Sequence, residues 1–410
     1  MDDRTLWVGV DLGNEAHQFC VLNASRKVVL QRAVEHKGIA LSDAIERLVD
    51  LAEGQAERLQ VALETPQSAV VEMLVERGIA VFTINPKQLE RFRDRHSTAG
   101  AKDDRRDAFV LADSLSTDQH LFKRVKLGST ELVELRALSR IRDELLEETN
   151  ALSNRIEAEL VRFYPEILSV GSIQSDLWMV ELLELVPTPE RARKVRAPQM
   201  RMLLKKHRVR KISADDLLPL LRSSSVRVAP GVAESCGRHI EMLIPRLRLA
   251  REQEQKCHQD MQRMLDALSE PEPEIEGQRD AAIVQSLPGA GTIVSATLLA
   301  EAWQPLVERD YARLRVLSGV APVTKQSGKS KTVSMRRACN PRLRQAVHHW
   351  ANCSVRLDAR SKMQYAALRA KGHTHGRALR AVADRLLGLL VTLLKRGERF
   401  DPARRALKAA

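Results

Sequence analysis

The chain has 410 residues and carries 66 lysines and arginines against 53 aspartates and glutamates, a net charge of +13 at pH 7. This length exceeds one ordinary core and predicts two or three domains, while the excess of positive charge favours a polyanionic partner, nucleic acid before a membrane surface. No apolar stretch reaches the roughly 18 residues that span a bilayer, and the acidic N-terminus is unlike a signal peptide, so we expect a cytoplasmic protein with no membrane partner. The five cysteines form no close pair of metal-ligand spacing, so we expect neither a disulfide framework nor a zinc site.

Strand and helix patterns alternate over the N-terminal part of the chain. Three strand patterns come first, in TLWVGVDL, HQFCVLN and KVVLQRAVEH, and predict an antiparallel meander. An amphipathic helix ended by Gly54 follows, then the strand LQVALE, a helix ended by Gly78, the strand AVFTIN and a helical segment after Pro86. This is the order of ribonuclease H-like domains, in which the first and fourth strands lie side by side. Asp11 and Glu64, which close those two strands, would then come close together.

A cluster of acidic residues opens the next predicted helix, in DDRRDAFVLADSL. Asp104 and Asp107 are three residues apart and share one helix face, whereas Asp103 is the better candidate for the helix cap. With Asp11 and Glu64 they form four carboxylates from three distant segments, which repel one another unless a divalent cation lies between them. Hard carboxylate oxygens suit Mg²⁺ or Mn²⁺. The structural alternative is a turn cap on the first strand and helix-dipole carboxylates on the last helix.

The middle of the chain carries two long helical patterns, at residues 125–165 and 234–270, which need a partner helix in cis or across a dimer. Between them, residues 191–211 contain ten lysines or arginines and no acid, which predicts contact with an RNA or DNA backbone, with a solvated helix face as the alternative. The candidates for this contact are Arg191, Arg193, Lys194, Lys205, Lys206, Arg208, Arg210 and Lys211. The segment 268–280, rich in Pro and Glu, is the best candidate for a domain boundary.

The C-terminal third begins with SLPGAGTIVSATLLAEAW, in which PGAG can present backbone N–H groups to a phosphate or serve as a plain helix-helix turn. Further on, Ser327 stands beside a glycine in the basic stretch KQSGKSK. We expect this serine to be exposed, in a loop that offers little hindrance to a phosphodiester. Ser330 and Ser334 are weaker competitors.

Taken in order, these motifs resemble the DEDD transposases of insertion sequences, which are regarded as bridge-RNA-guided serine recombinases. The resemblance rests on Asp11, Glu64 and AKDDRRDA, followed by LPGAGTIVSATLLAE, GVAPVTKQSGKSK, CNPRLRQAV and ALRAKGHTHGRALRAVADRLL, and it covers nearly the whole chain. Two departures stand out. The segment ETPQSAVVE lacks the Thr-Gly pair and aromatic that usually follow the glutamate, and the usual KTD is KDD here.

The resemblance implies a RuvC-like domain of ribonuclease H fold over residues 1–122, a helical coiled-coil region with the basic segment over 123–275, and a mostly helical transposase domain over 276–402. It implies that Asp11, Glu64, Asp104 and Asp107 bind Mg²⁺ (or Mn²⁺). It also implies that Ser327 attacks a DNA phosphate to give a covalent phosphoserine, with the acidic site of another protomer completing the active site.

The implied partners are double-stranded donor and target DNA and a structured noncoding guide RNA that reads sequence while the protein holds the backbones. The implied assembly is a homo-oligomer, a dimer that becomes a tetramer in the synaptic complex. No histidine base stands in the serine motif, so activation would come from the metal or from nearby cations, which are equally candidates for phosphate contacts. These cations are Lys325, Lys329, Lys331, Arg336 and Arg337.

Two other functions stay open on the sequence alone. One is a metal-dependent nuclease of resolvase type, which uses the four carboxylates and water without a covalent intermediate. The other is a noncatalytic nucleic-acid-binding protein, for which basic charge and long helices suffice. Aromatic residues make up only 3% of the chain, so backbone contacts rather than base stacking would dominate any of these interactions.

Overall fold

The computed structural model describes residues 5–66, 68–96, 103–126, 128–223, 226–270, 279–328 and 330–403. The chain forms two compact units, Met1–Ser129 and Thr130–Ala410. The predicted boundary between residues 275 and 276 lies outside the described residues, and the three-domain division stays a prediction. Within the described ranges, no helix is both long enough and apolar enough to cross a membrane.

The first unit is a mixed α/β fold built on one six-stranded sheet. Its strands are β1 (Leu6–Leu12), β2 (Ala16–Leu22), β3 (Val28–Glu35), β4 (Leu59–Leu63), β5 (Ala80–Thr83) and β6 (Lys123–Arg124). Its helices are α1 (Gly38–Leu51), α2 (Ala69–Glu76), α3 (Pro86–His96) and α4 (Asp104–Asp118). The strand order is β3-β2-β1-β4-β5-β6, with β1, β2 and β3 antiparallel, β4 and β5 parallel to β1, and β6 antiparallel to β5. The predicted meander and the predicted adjacency of the first and fourth strands are both confirmed.

Helices cover both faces of this sheet, which explains why its central strands read as continuous apolar runs. Val8 and Val10 of β1 pack with the apolar faces of α1 and α2. Trp7 lies on the opposite face, in a cluster with apolar residues of α3 and α4. Because successive strand residues alternate between faces, β1 is buried on both sides. Asp11 lies near its C-terminal end, at the edge of the sheet.

The second unit is mostly helical. Its helices are α5 (Thr130–Phe163), α6 (Leu177–Leu185), α7 (Pro189–Lys194), α8 (Ala197–Lys206), α9 (Ala214–Arg222), α10 (Val232–Ser269), α11 (Asp280–Ser286), α12 (Thr292–Val307), α13 (Tyr311–Leu317), α14 (Pro341–Leu357), α15 (Ala359–Ala370) and α16 (His375–Arg396). A hairpin of β7 (Val323–Ser327) and β8 (Ser330–Ser334) separates α13 from α14. The 34-residue α5 packs along the 38-residue α10, so the predicted long helices find their partners in cis.

Two apolar cores lie along this helix pair. The C-terminal half of α5 and the N-terminal half of α10 pack with α6, α8 and α9, and the other halves pack with α11, α12, α14 and α16. A carboxylate that is only 6% exposed, Glu301 of α12, ties the second core together. It accepts from Arg140 Nε of α5 at 3.1 Å and from Asn340 Nδ2 at 2.8 Å, while the side chain of Asn340 caps α14 through Leu343 N. The acid of LLAE and the Asn of CNPR are therefore structural.

Candidate functional site

Two of the four predicted carboxylates converge on a single guanidinium in the first unit. Glu64 directly follows β4, and Asp107 lies in the first turn of α4. Arg93 of α3 donates from Nε to Asp107 Oδ1 at 2.7 Å. Its Nη2 donates to Asp107 Oδ2 and to Glu64 Oε1, at 2.9 Å each. Because one nitrogen donates to both carboxylates, Glu64 and Asp107 are close neighbours although they come from different elements.

Asp11 reaches the same edge of the sheet. Strands β1 and β4 are parallel with Gly9 opposite Ala62, and this register, continued by two residues, brings Asp11 level with Glu64. Neighbouring strands lie about 4.8 Å apart. Asp11 is half-buried and stands opposite Gln18 of β2. The strand topology therefore places the first two acids of the predicted set side by side.

Gly9 of β1 sets the position of Asp107. A Cβ atom on Gly9 would lie 1.8 Å from the carbonyl oxygen of Ala108 and 2.6 Å from the backbone nitrogen of Ala112, so α4 rests directly on the backbone of β1. Only glycine allows this approach. The close packing brings Asp107, which precedes Ala108, to the end of the strand. Sequence reasoning missed this role, although a glycine inside a buried strand pattern is its signal.

The remaining acids of the cluster behave differently. Asp103 caps α4, since its side chain accepts from Arg105 N at 3.3 Å, and the expectation that it is a cap is confirmed. Asp104 is exposed, one turn before Asp107. In the part of the chain that the structure describes, no three His, Cys, Asp or Glu side chains are placed to share a metal ion. The predicted four-carboxylate cluster is thus not gathered around one metal position among the described residues: Arg93 bonds both Glu64 and Asp107, and Asp104 is exposed.

The chemistry of the gathered acids still fits a divalent cation. Their ligand atoms are hard carboxylate oxygens, which Mg²⁺ and Mn²⁺ prefer. The side chain of Asp107 is only 2% exposed, and a carboxylate buried to that extent needs a positive partner. Arg93 supplies that charge here, so the position between Glu64 and Asp107 is already one that holds a cation.

Ser327 lies at the tip of the β7–β8 hairpin rather than in an irregular loop. It is the last residue of β7, is exposed, and pairs with Ser330, the first residue of β8. Gly328 has φ +54°, the left-handed conformation that tight two-residue hairpin turns require. Lys329, one of the predicted phosphate contacts, lies outside the described residues. The hairpin holds the Ser327 hydroxyl on a defined and open edge.

The hairpin register separates the predicted cations around Ser327. Cross-strand pairs share a face and neighbours along a strand alternate, so Lys325, paired with Thr332, lies on the face of Ser327. Lys331, paired with Gln326, lies on the opposite face. By strand geometry Lys325 is about 6.6 Å along the strand from Ser327. It is the hairpin cation placed to accompany the serine, among the residues that the structure describes.

Arg336 and Arg337 lie beyond the other end of β8. Arg336 Nε donates to the carbonyl of Ala321 at 3.2 Å and so fastens the base of the hairpin. Arg337 is exposed. At about 3.3 Å per residue, β8 carries the chain roughly 13 Å from Ser330 to Ser334, and both arginines lie beyond that end. Arg336 thus makes a contact that stabilises the hairpin base, and the phosphate contacts predicted for both arginines stay predictions.

The eight predicted nucleic-acid contacts of the basic segment 191–211 divide into two groups of side chains. The paired basic group contacts carboxylates from outside the segment: Arg191 with Glu241, Lys206 with Glu181 and Lys211 with Asp176. The unpaired basic group is exposed and makes no ion pair with any described residue; it comprises Arg193, Lys194, Lys205, Arg208 and Arg210. The sequence shows no acid within the segment, but acids 25 to 50 residues away neutralise part of it. That the unpaired basic group binds nucleic acid stays a prediction.

A second basic surface was not predicted from the sequence. A cleft of about 860 Å³ lies between α15, α16 and the residues after α16. Its cationic lining comprises Arg360, Arg385, Lys395, Arg396 and Arg399. Arg360 joins the other four cations through the packing of α15 against α16, and the acids Glu398 and Asp401 also line the cleft.

Comparison with known proteins adds two family matches. Residues 8–165 match a family model described as a transposase, DEDD type, of IS110, and residues 281–366 match the model of the IS116/IS110/IS902 transposase family. The first segment contains Asp11, Glu64, Arg93 and Asp107, and the second contains Ser327. The two segments together span more than half of the chain.

Several curated proteins are similar to this chain. A putative transposase, y4uE, of Sinorhizobium fredii is 38% identical over 214 residues, which are 52% of this chain and 60% of that protein. The mini-circle putative transposase for IS117 of Streptomyces coelicolor is 27% identical over 98% of this chain and 97% of its own length. An IS900 protein of Mycobacterium paratuberculosis is 25% identical over 98% of both chains. The similarity to the last two thus extends over both units.

Proposed function

This chain belongs to the IS110 family of DEDD transposases, and we propose that it cuts and rejoins DNA through a covalent bond between Ser327 and a DNA phosphate. The observation that carries the proposal is the setting of Ser327, exposed at a hairpin tip inside a segment that matches the family. An attacking hydroxyl must approach phosphorus in line with the leaving oxygen. A serine held at an open tip, rather than in a cleft, suits a substrate as bulky as duplex DNA.

The proposed reaction is an exchange of phosphodiester bonds. The Ser327 hydroxyl loses its proton, its oxygen bonds to phosphorus, and the DNA oxygen that leaves takes up a proton. Attack of another DNA end on the phosphoserine reverses these steps and restores Ser327, so rejoining requires no external energy source. Lys325 would stabilise the negative charge of the phosphate, and its position on the same face of the hairpin supports this role.

We assign the acidic residues Asp11, Glu64, Asp104 and Asp107 to the same reaction, as the ligands of Mg²⁺ or Mn²⁺. Bound there, such an ion would supply positive charge to the phosphate in the transition state. The convergence of Glu64 and Asp107 on Arg93 and the level position of Asp11 support this assignment. The strand order of the first unit, with these acids at one edge, supports a RuvC-like fold of ribonuclease H type.

The proposed partners are donor and target DNA together with a structured noncoding RNA that specifies both. The protein would hold phosphate backbones, through the unpaired basic group and the cleft beside α16, while the RNA reads sequence. The proposed assembly is a dimer that forms a tetramer on two duplexes, with the paired helices α5 and α10 contributing coiled-coil contacts.

A second candidate function is a metal-dependent nuclease of resolvase type. One observation favours it: within the described residues the Ser327 hydroxyl makes no hydrogen bond, and the hairpin carries no histidine to act as its base. In that case the acidic site alone would cut DNA with water, and Ser327 would be a surface residue.

A denaturing gel separates the two functions. The protein, co-expressed with the RNA flanking its reading frame, is incubated with duplex DNA and Mg²⁺, and covalent protein–DNA species are analysed by gel and by mass spectrometry of the Ser327 peptide. We expect an adduct that Ser327→Ala abolishes and that Ser330→Ala, its cross-strand neighbour on the same face, retains. Cleavage that survives unchanged in Ser327→Ala without an adduct would establish the nuclease instead.

A further inference from the structure

The guanidinium of Arg93 occupies the position between Glu64 and Asp107 that a shared metal ion would need. We propose that Arg93 is an autoinhibitory counter-cation, which keeps the acidic site closed to divalent metal until the guanidinium leaves the carboxylates. This inference rests on the proposed function only in taking Glu64 and Asp107 as metal ligands.

Arg93 bonds the carboxylate oxygens of Asp107 and Glu64 that a shared metal ion would bind. Its Nε and Nη2 bond the two oxygens of Asp107, at 2.7 and 2.9 Å, in the parallel fork that arginine forms with carboxylates. The same Nη2 also holds Glu64 Oε1 at 2.9 Å. A cation between Glu64 and Asp107 cannot coexist with these three bonds, because it would meet the guanidinium at van der Waals overlap and with like charge.

The neighbouring arginines of α3 show that this contact is particular to Arg93. Arg91 is exposed, and Arg95, whose side chain is 53% exposed, pairs with Asp118 at 3.3 Å. The side chain of Arg93 is 29% exposed. It follows the buried Leu89 by four residues and therefore shares the helix face that packs towards α4. The packing of α3 therefore positions Arg93 at the acids. A general excess of basic residues does not explain the contact, because the neighbouring arginines do not make it.

Because Asp107 is buried, the Arg93 guanidinium and a divalent metal ion are alternative partners for its carboxylate. A carboxylate that is 2% exposed is strongly disfavoured when ionised and unpaired, so Arg93 and a divalent ion each satisfy the same need. The Arg93 guanidinium can leave the acids only if it binds another anion. In the proposed reaction that anion is a phosphate of the bound DNA. DNA binding and metal binding are then coupled: each favours the form of the site in which Arg93 has left the carboxylates.

Titration calorimetry of Mn²⁺ into the full-length protein at pH 7.5 tests this inference without measuring activity. We expect Arg93→Gln to bind Mn²⁺ at least about tenfold more tightly than wild type, while Arg91→Gln, the matched control on the exposed face of α3, binds as wild type does. Arg93→Lys keeps a charge but loses the fork and should fall between them. A short DNA duplex should tighten Mn²⁺ binding by wild type but not by Arg93→Gln.

The outcomes distinguish this inference from the proposed function. If wild type binds Mn²⁺ at the acidic site and Arg93→Gln binds it no more tightly, Arg93 is a structural partner and the inference is overturned while the metal site stands. If neither protein binds Mn²⁺, both the inference and the assignment of the metal site are wrong. Thermal unfolding controls for misfolding: the midpoint of Arg93→Gln should rise on addition of Mn²⁺ by more than that of wild type, and an equal rise would also overturn the inference.

Discussion

Replacement of Gly9 by alanine tests whether the packing of α4 on β1 assembles the acidic site. The added Cβ would lie 1.8 Å from the carbonyl oxygen of Ala108, whereas ordinary van der Waals contacts of a Cβ lie at 3.4–4 Å. The obstructing atoms are backbone, so no side chain can rotate away and α4 itself must move by more than 1 Å. Overpacking costs typically 1–3 kcal/mol, and a backbone obstacle puts Gly9→Ala at or above the upper end, about 3 kcal/mol.

Amide hydrogen exchange in increasing urea measures this cost locally. Peptides from residues 104–118 should open with a free energy about 3 kcal/mol lower in Gly9→Ala than in wild type, a change of roughly 150-fold in protection. Peptides from residues 232–269, in the other unit, should be unaffected. Gly38→Ala is the control, because a methyl group added at Gly38 would meet no atom within 4 Å and this glycine opens α1 in an exposed turn. Equal protection of residues 104–118 in both variants would refute the reasoning.

Three further results are expected. Glu301→Ala leaves Arg140 and Asn340 without their buried carboxylate and should lower the free energy of unfolding of the second unit by about 3 kcal/mol in urea; a loss below about 1 kcal/mol would contradict this. Burial, and then the charge of His36, lower the pKa of His17, so the folded state binds fewer protons than the unfolded one below pH 6.5. Stability of the first unit should therefore be full above pH 6.5 and fall on acidification below it, and His17→Gln should flatten that dependence in denaturation curves at pH 5 and 7.5. Substituting the unpaired basic group with glutamine should reduce the salt dependence of duplex binding by up to about 0.9 per residue, with a much smaller change for the paired basic group.

The topology of the first unit could be predicted because its signals are local. Apolar alternation marks each strand, Gly54 and Gly78 mark helix ends with φ of +78° and +76°, and the order of elements then makes the first and fourth strands neighbours. Asp11 and Glu64 follow from this order, since residues that close adjacent parallel strands meet at one edge.

The counter-charge in the site could not be predicted in the same way. On an amphipathic helix as basic as α3, periodicity shows which face is apolar but not which arginine at its border will reach a carboxylate on another element. Arg93 is selected by the depth at which α4 lies on β1, and that depth depends on a missing Cβ at Gly9. The glycine is visible in the strand pattern, but the helix that packs on it and the arginine that reaches the acids are tertiary facts.

The surroundings of Ser327 were predicted in composition but not in geometry. The stretch KQSGKSK predicts a basic loop, because its polar residues show none of the apolar alternation that marks a strand. The structure pairs it as a hairpin, with Gly328 in the left-handed conformation. Charge counting likewise treated residues 191–211 as uniformly basic, whereas Glu181 and Asp176 of the preceding segment neutralise part of it. Pairing between distant segments decides which charges stay available.

Anomalous diffraction from crystals soaked in Mn²⁺ together with a short DNA duplex tests the convergence of the acids most directly. We predict one manganese peak at about 2.2 Å from carboxylate oxygens of the assigned ligands Asp11, Glu64, Asp104 and Asp107, with the Arg93 guanidinium moved away. Bonds from Arg93 to both acids that persist at saturating Mn²⁺, with manganese bound elsewhere or not at all, would contradict the existence of a metal site at this edge of the sheet.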